Sequence, residues 1–150
     1  MRTIGLLFGS LLFALSTVGL SSIAASQSLF DCGPNAGYSY YFAGKYVSAD
    51  KAGWHEDGTS EGQFSLISRG DDLDVLFRDA TGSLVSAQAD GAKIYPLHIG
   101  DTSATVLVIY PLNVVEIYQF DLASKSYTLS STKFGEAPIR KAGTLAGKCR

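Results

Sequence analysis

The chain predicts an all-β domain: a single antiparallel β-barrel or closed sandwich of about eight strands, with its termini joined by a disulfide. Three observations point there. Apolar residues alternate with a period of two in several windows, and beyond the N-terminal segment no window shows a convincing helical period. Turn-forming clusters interrupt these windows about every ten residues, the spacing of a sandwich or barrel. The two cysteines, Cys32 and Cys149, stand at opposite ends of the strand-rich body.

The N-terminal segment is taken first because it sets the compartment. Arg2 precedes an apolar run through Leu6, Leu7, Phe8, Leu11, Leu12, Phe13 and Leu15, which fades into Ser22-Ile23-Ala24-Ala25-Ser26. A basic residue, an apolar stretch and a small-residue zone are the parts of an export leader. Cleavage is expected within 24–26, which makes 1–25 the leader and 26–150 a single β domain. The uninterrupted apolar stretch is shorter than the ~20 residues a spanning helix needs. A lipid anchor on Cys32 is disfavoured, since Phe30 and Asp31 occupy positions where such a signal has small residues. In an oxidising compartment two thiols pair. A Cys32–Cys149 bridge requires Cα atoms within about 7 Å, and loop-closure entropy gives it an upper value of about 4–5 kcal/mol.

Strands are expected near 38–43, 62–69, 72–79, 83–88, 92–98, 103–110, 114–122 and 126–134, with a short last piece near 139–146. Tyr38, Tyr40 and Phe42 share one face of the first and read as barrel wall. Leu73, Val75 and Phe77 share one face of another. Ala104 to Tyr110 is apolar on both faces, so this strand should be the most buried. Asp90-Gly91 suits a tight hairpin because both residues tolerate positive φ. Residues 44–61 lack a strand pattern and read as the longest loop.

Formal net charge is −2, with 12 basic and 14 acidic residues. Removing Arg2 makes the balance slightly more acidic, which argues against nucleic acid as a partner. Asp50 to Asp79 is acid-rich, and the tail after Glu136 carries Arg140, Lys141, Lys148 and Arg150 without an acidic side chain. Complementary neighbours across the seam of a closed sheet explain this more simply than an acidic binding face does.

The richest local cluster is Gly53-Trp54-His55-Glu56-Asp57-Gly58, which holds the only Trp and one of two His. Trp54 could stack on a sugar or another planar ligand, and His55 with Glu56 or Asp57 could move protons or bind a metal. The plainer reading is a turn whose Trp54 caps the barrel core; on an extended segment His55 and Glu56 would point to opposite sides. Glu116 shares a strand face with Val114, Tyr118 and Phe120. It is a partnered inward carboxylate, a rim residue near Asn113, or an outward residue with Val115 and Ile117 inside. Asp71, Asp72 and Asp74 fail as a calcium loop, because Leu76 and Gly82 stand where Gly and Glu are needed. Arg69-Gly70-Asp71 spells an adhesion tripeptide, which chance supplies at a hairpin turn. No metal set, cofactor loop or activated nucleophile reaches the specificity a catalytic assignment needs, so no catalytic residue, metal or cofactor is expected.

From Cys32 onward the chain resembles a group of small exported bacterial proteins of unknown activity. The features are Tyr40-Tyr41-Phe42, Gly53-Trp54, Asp57-Gly58, Asp74-Val75-Leu76-Phe77, Asp79-Ala80, Asp90-Gly91 and the terminal Cys149. This resemblance implies export alone. Asp90-Gly91-Ala92-Lys93 is similar to the Ser-Gly-Ala-Arg/Lys loop of the periplasmic inhibitors of C-type lysozymes, small disulfide-linked β-barrels. That likeness marks Lys93 as a candidate contact, although Asp90 stands where that family has Ser and Ile94 where it has Tyr.

The function expected from these features is non-catalytic binding in the bacterial envelope, periplasmic or secreted, by a monomer without stable membrane insertion after cleavage. The target would be an envelope protein or polymer, and the candidate contacts are Trp54, His55, Glu56, Asp57, Lys93 and Glu116. The alternatives are a lipocalin-like carrier of a small apolar ligand, a lysozyme-inhibitor-like module, and an enzyme using Trp54 to Asp57.

Overall fold

The computed structural model describes residues 26–79 and 81–150. The expected leader and its cleavage zone lie outside the described residues or at their margin. The described residues form ten strands: β1 (Gln27–Tyr41), β2 (Gly53–Thr59), β3 (Phe64–Arg69), β4 (Asp72–Arg78), β5 (Leu84–Ser86), β6 (Lys93–Ile99), β7 (Ser103–Tyr110), β8 (Val114–Asp121), β9 (Ser126–Lys133) and β10 (Lys141–Cys149). They make one antiparallel sheet in the order β5-β4-β3-β1-β10-β9-β8-β7-β6, curled into a half-barrel.

The centre of this sheet is β1. Its partner on one side changes along its length: Gln27–Cys32 pairs with β3, and Asn35–Tyr41 pairs with β2. Along the other side it runs against β10. The change falls at Gly33-Pro34, where the β10 register also shifts. Cys32 faces Cys149 in this ladder, and the two form the expected disulfide, with Cα atoms 3.9 Å apart.

The core lies in the half of the barrel holding the N-terminal part of β1. Phe30 stacks on Phe120 at 4.6 Å, and Phe120 stacks in turn on Tyr118 and Tyr127. Phe64 closes against both tyrosines. Leu66, Val75, Val106 and Val108 pack around these rings with no exposed surface. Against expectation, β7 is not the most buried strand. It buries Ala104, Val106 and Val108, but β3 buries Phe64 to Ile67 in succession, and the far face of β7 is only partly covered, with Ile109 exposed. The two ends of the sheet order come together through Phe77 of β4 against Tyr110 of β7, and within the turn from β5 to β6 the Ala92 N–H donates to the Ala87 carbonyl.

Two further expectations need correction. Residues 44–61 are not one loop, because they contain β2, a full strand on β1. The Tyr38–Tyr40 face is not the inner wall, since Tyr38 is 56% exposed while Ser39 beside it is buried. The inner face of this part of β1 is Asn35, Gly37, Ser39 and Tyr41. It is built small because β10 approaches closely: a Cβ on Gly37 would stand 2.2 Å from the Thr144 carbonyl oxygen.

Candidate functional site

The β1–β10–β9–β8 ladders, extended by β2, place two rows of side chains on the outer face. One row runs Trp54, Tyr40, Ala142, Thr132, Val115, and the next runs Glu56, Tyr38, Thr144, Ser130, Ile117. Five strands at the usual spacing span about 19 Å. Small side chains and hydroxyls form the floor, with rings on one side and Val115 and Ile117 on the other. The Ser130 and Thr144 hydroxyls share a 3.0 Å hydrogen bond along that floor.

Trp54 is 67% exposed, so it does not cap the core. Its ring stands edge-on against Tyr40, with centroids 5.6 Å apart and an interplanar angle of 81°. Tyr40 packs in the same way on Phe42, which reaches Phe134. The rings brace one another, and the Trp54 face is left to solvent. A braced ring loses little freedom when a ligand covers it.

On the opposite face of β2, His55 and Asp57 point inward with Ser39 and Tyr41 of β1 and Lys141 of β10. Asp57 accepts from Ser39 Oγ at 2.7 Å and from the Gly58 N–H at 2.9 Å, and pairs with Lys141. Burial pushes the Asp57 carboxyl up, but the Lys141 and Ser39 hydrogen bonds outweigh it and hold it below its ordinary value. Burial likewise opposes charge on Lys141, yet Asp57 and then Tyr41 keep it above the usual lysine range. A carboxylate held ionised and an ammonium held protonated are poorly placed to exchange protons near neutrality. His55 is exposed and uses Nε2 on the Lys51 carbonyl oxygen, 2.9 Å away. Its ring lies against Tyr41 with centroids 5.7 Å apart. The inner cluster therefore ties β2 to β1 and β10.

Glu116 faces inward with Tyr118, half-buried at the end of β8 nearest the Pro111–Asn113 turn, so the inward and rim readings both apply. Tyr118 donates to Glu116 Oε2 at 2.8 Å. Burial, together with this carboxylate, drives the Tyr110 and Tyr118 hydroxyls far above their ordinary range. Lys93 opens β6 opposite Ile109 and is exposed; the β1-β10-β9-β8-β7 array separates its strand from β2 in the sheet order. The structure thus brings Trp54 and Glu56 to one outer face and His55 and Asp57 to the inner one, and leaves Glu116 and Lys93 apart from both.

No family model, curated protein or solved structure matches the chain. Among the described residues no group of three His, Cys, Asp or Glu side chains is placed to hold a metal ion. No described helix is long and apolar enough to cross a membrane.

Sequence reasoning passed over Lys141, Ser39 and the small residues of β9 and β10. Lys141 and Ser39 are brought to Asp57 by pairings between strands distant in the chain, and no local pattern carries that.

Proposed function

We propose that this chain is an exported, non-catalytic binding protein of the bacterial envelope, and that it binds through the outer face of β1, β2 and β8–β10 with Trp54 as anchor. The observation that carries this reading is Trp54 itself. A large ring held on a regular strand, braced by Tyr40 and uncovered, is the arrangement of an interface anchor. Support for export comes from the leader-like N-terminus and from a disulfide, which suits an oxidising compartment. The ring-filled core favours a surface site over an internal one.

Two measurements test the reading. Fractionation of cells expressing the full chain should recover a shortened protein outside the cytoplasm; full-length protein confined to the cytoplasm overturns export. The domain, immobilised and incubated with envelope extract, should retain a component that Trp54→Ala does not. Equal retention by both overturns the site.

A further inference from the structure

Resting on that reading, we infer that the outer-face trough is a binding site for an uncharged glycan chain. Three features of the two rows carry this. The first is the pairing of rings with hydroxyls. Trp54 and Tyr38 expose flat apolar surface, and Thr132, Ser130 and Thr144 stand in the floor beside them. A sugar ring has the same division, with C–H groups on its faces and hydroxyls around its edge. An aliphatic occupant would cover the Thr132 hydroxyl without a partner and would offer nothing to the remaining hydrogen-bonding capacity of the Ser130–Thr144 pair, at the cost that attends buried unpaired polar groups.

The second feature is shape. The small Ala142 side chain keeps the floor low between the ring wall and the Val115–Ile117 wall. The trough crosses the strands instead of running along an open edge, so its occupant is held by side chains. Its span of about 19 Å suits an extended oligosaccharide.

The third is charge. The ten residues of the two rows include one charged side chain, Glu56, at the outer end beside Tyr38. The inner cations, Lys133 and Lys141, lie on the opposite face of the sheet, and Lys141 is taken up by Asp57. A site with one carboxylate and no cation repels uronate- or phosphate-bearing polymers. The same carboxylate can accept hydrogen bonds from sugar hydroxyls.

Trp54 is the chain's only tryptophan, so its fluorescence reports this site without a label. The experiment titrates the protein with cellohexaose, chitohexaose, maltohexaose and dextran, and with polygalacturonate as the anionic comparison. A saturable blue shift with at least one neutral glycan is expected, weakened about tenfold or more by Thr132→Lys, a change at an exposed position that should leave the melting temperature alone. Absence of a shift with every neutral glycan overturns the inference. So does an equal response to polygalacturonate, or a shift that follows protein concentration without ligand, which would assign the trough to a second copy of the chain. If glycans fail while Trp54→Ala still loses an envelope component, the glycan assignment falls and the binding-protein reading stands.

Discussion

Trp54 and Asp57 lie on the same short strand and answer to different tests. The Trp54 ring contributes to stability chiefly through its edge contact with Tyr40, so Trp54→Ala should cost no more than about 1.5 kcal/mol. A core cap would cost about 3–5 kcal/mol, and thermal unfolding distinguishes the two. Asp57 should reveal itself through pH. Its carboxyl is held below its ordinary value of 3.8, so its contribution is fully present above the unfolded value and is lost as the pH falls through the folded one. Melting temperature should therefore fall in acid below about pH 4, and Asp57→Asn should fall less over the same range. Parallel acid profiles for the two proteins would show that the Asp57–Lys141 pair contributes nothing. At the alkaline end the raised Lys141 value adds stability that is present below its ordinary 10.5 and lost above its folded value.

At the scale of the strand, β10 depends on its glycines. A Cβ at position 143 would stand 2.5 Å from the Tyr38 carbonyl oxygen and 2.7 Å from the Ser39 Cα. These are backbone atoms that cannot swing aside. Gly143→Ala should therefore force β1 and β10 apart and cost about 1–3 kcal/mol, read as a lower urea midpoint; an unchanged midpoint would refute the close approach. The strands that could be read in advance were those whose apolar and polar residues alternate, such as β4 and β9, and the doubly apolar β7, although the polar face of β4 is not simply wet, since Asp74 on it is buried. Two could not. β2 is an added strand with Trp54 outside and His55 and Asp57 inside, so no apolar stripe marks either face. The first half of β1 carries Gly33-Pro34, and its later inner face is Asn35, Gly37 and Ser39. A period of two separates the faces of a strand without saying which one is buried, and so Tyr38 and Tyr40 were expected inside. Asn35 shows what the pattern hides: buried, it donates to the Tyr127 hydroxyl at 3.1 Å and accepts the Thr59 N–H at 3.1 Å.

For the molecule as a whole, the disulfide and the β1–β10 ladder join the same two segments. Reduction should lower stability by at most about 4–5 kcal/mol, with the fold retained under native conditions because the ladder and the stacked rings remain. Unfolding midpoints with and without reductant check this, and no change on reduction would sink it. The pairing at the sheet's centre also has a consequence in time. Cys32 and Cys149 are separated by 117 positions in sequence, yet their strands are neighbours. A chain delivered N-terminus first, by a ribosome or through a translocation pore, offers β1 long before β10 arrives. The hairpins β3–β4 and β7–β8 can form as they emerge, but the middle of the sheet stays vacant until the final strand comes through. Assembly dominated by such distant partners is slow, and the polypeptide therefore remains threadable for as long as delivery lasts.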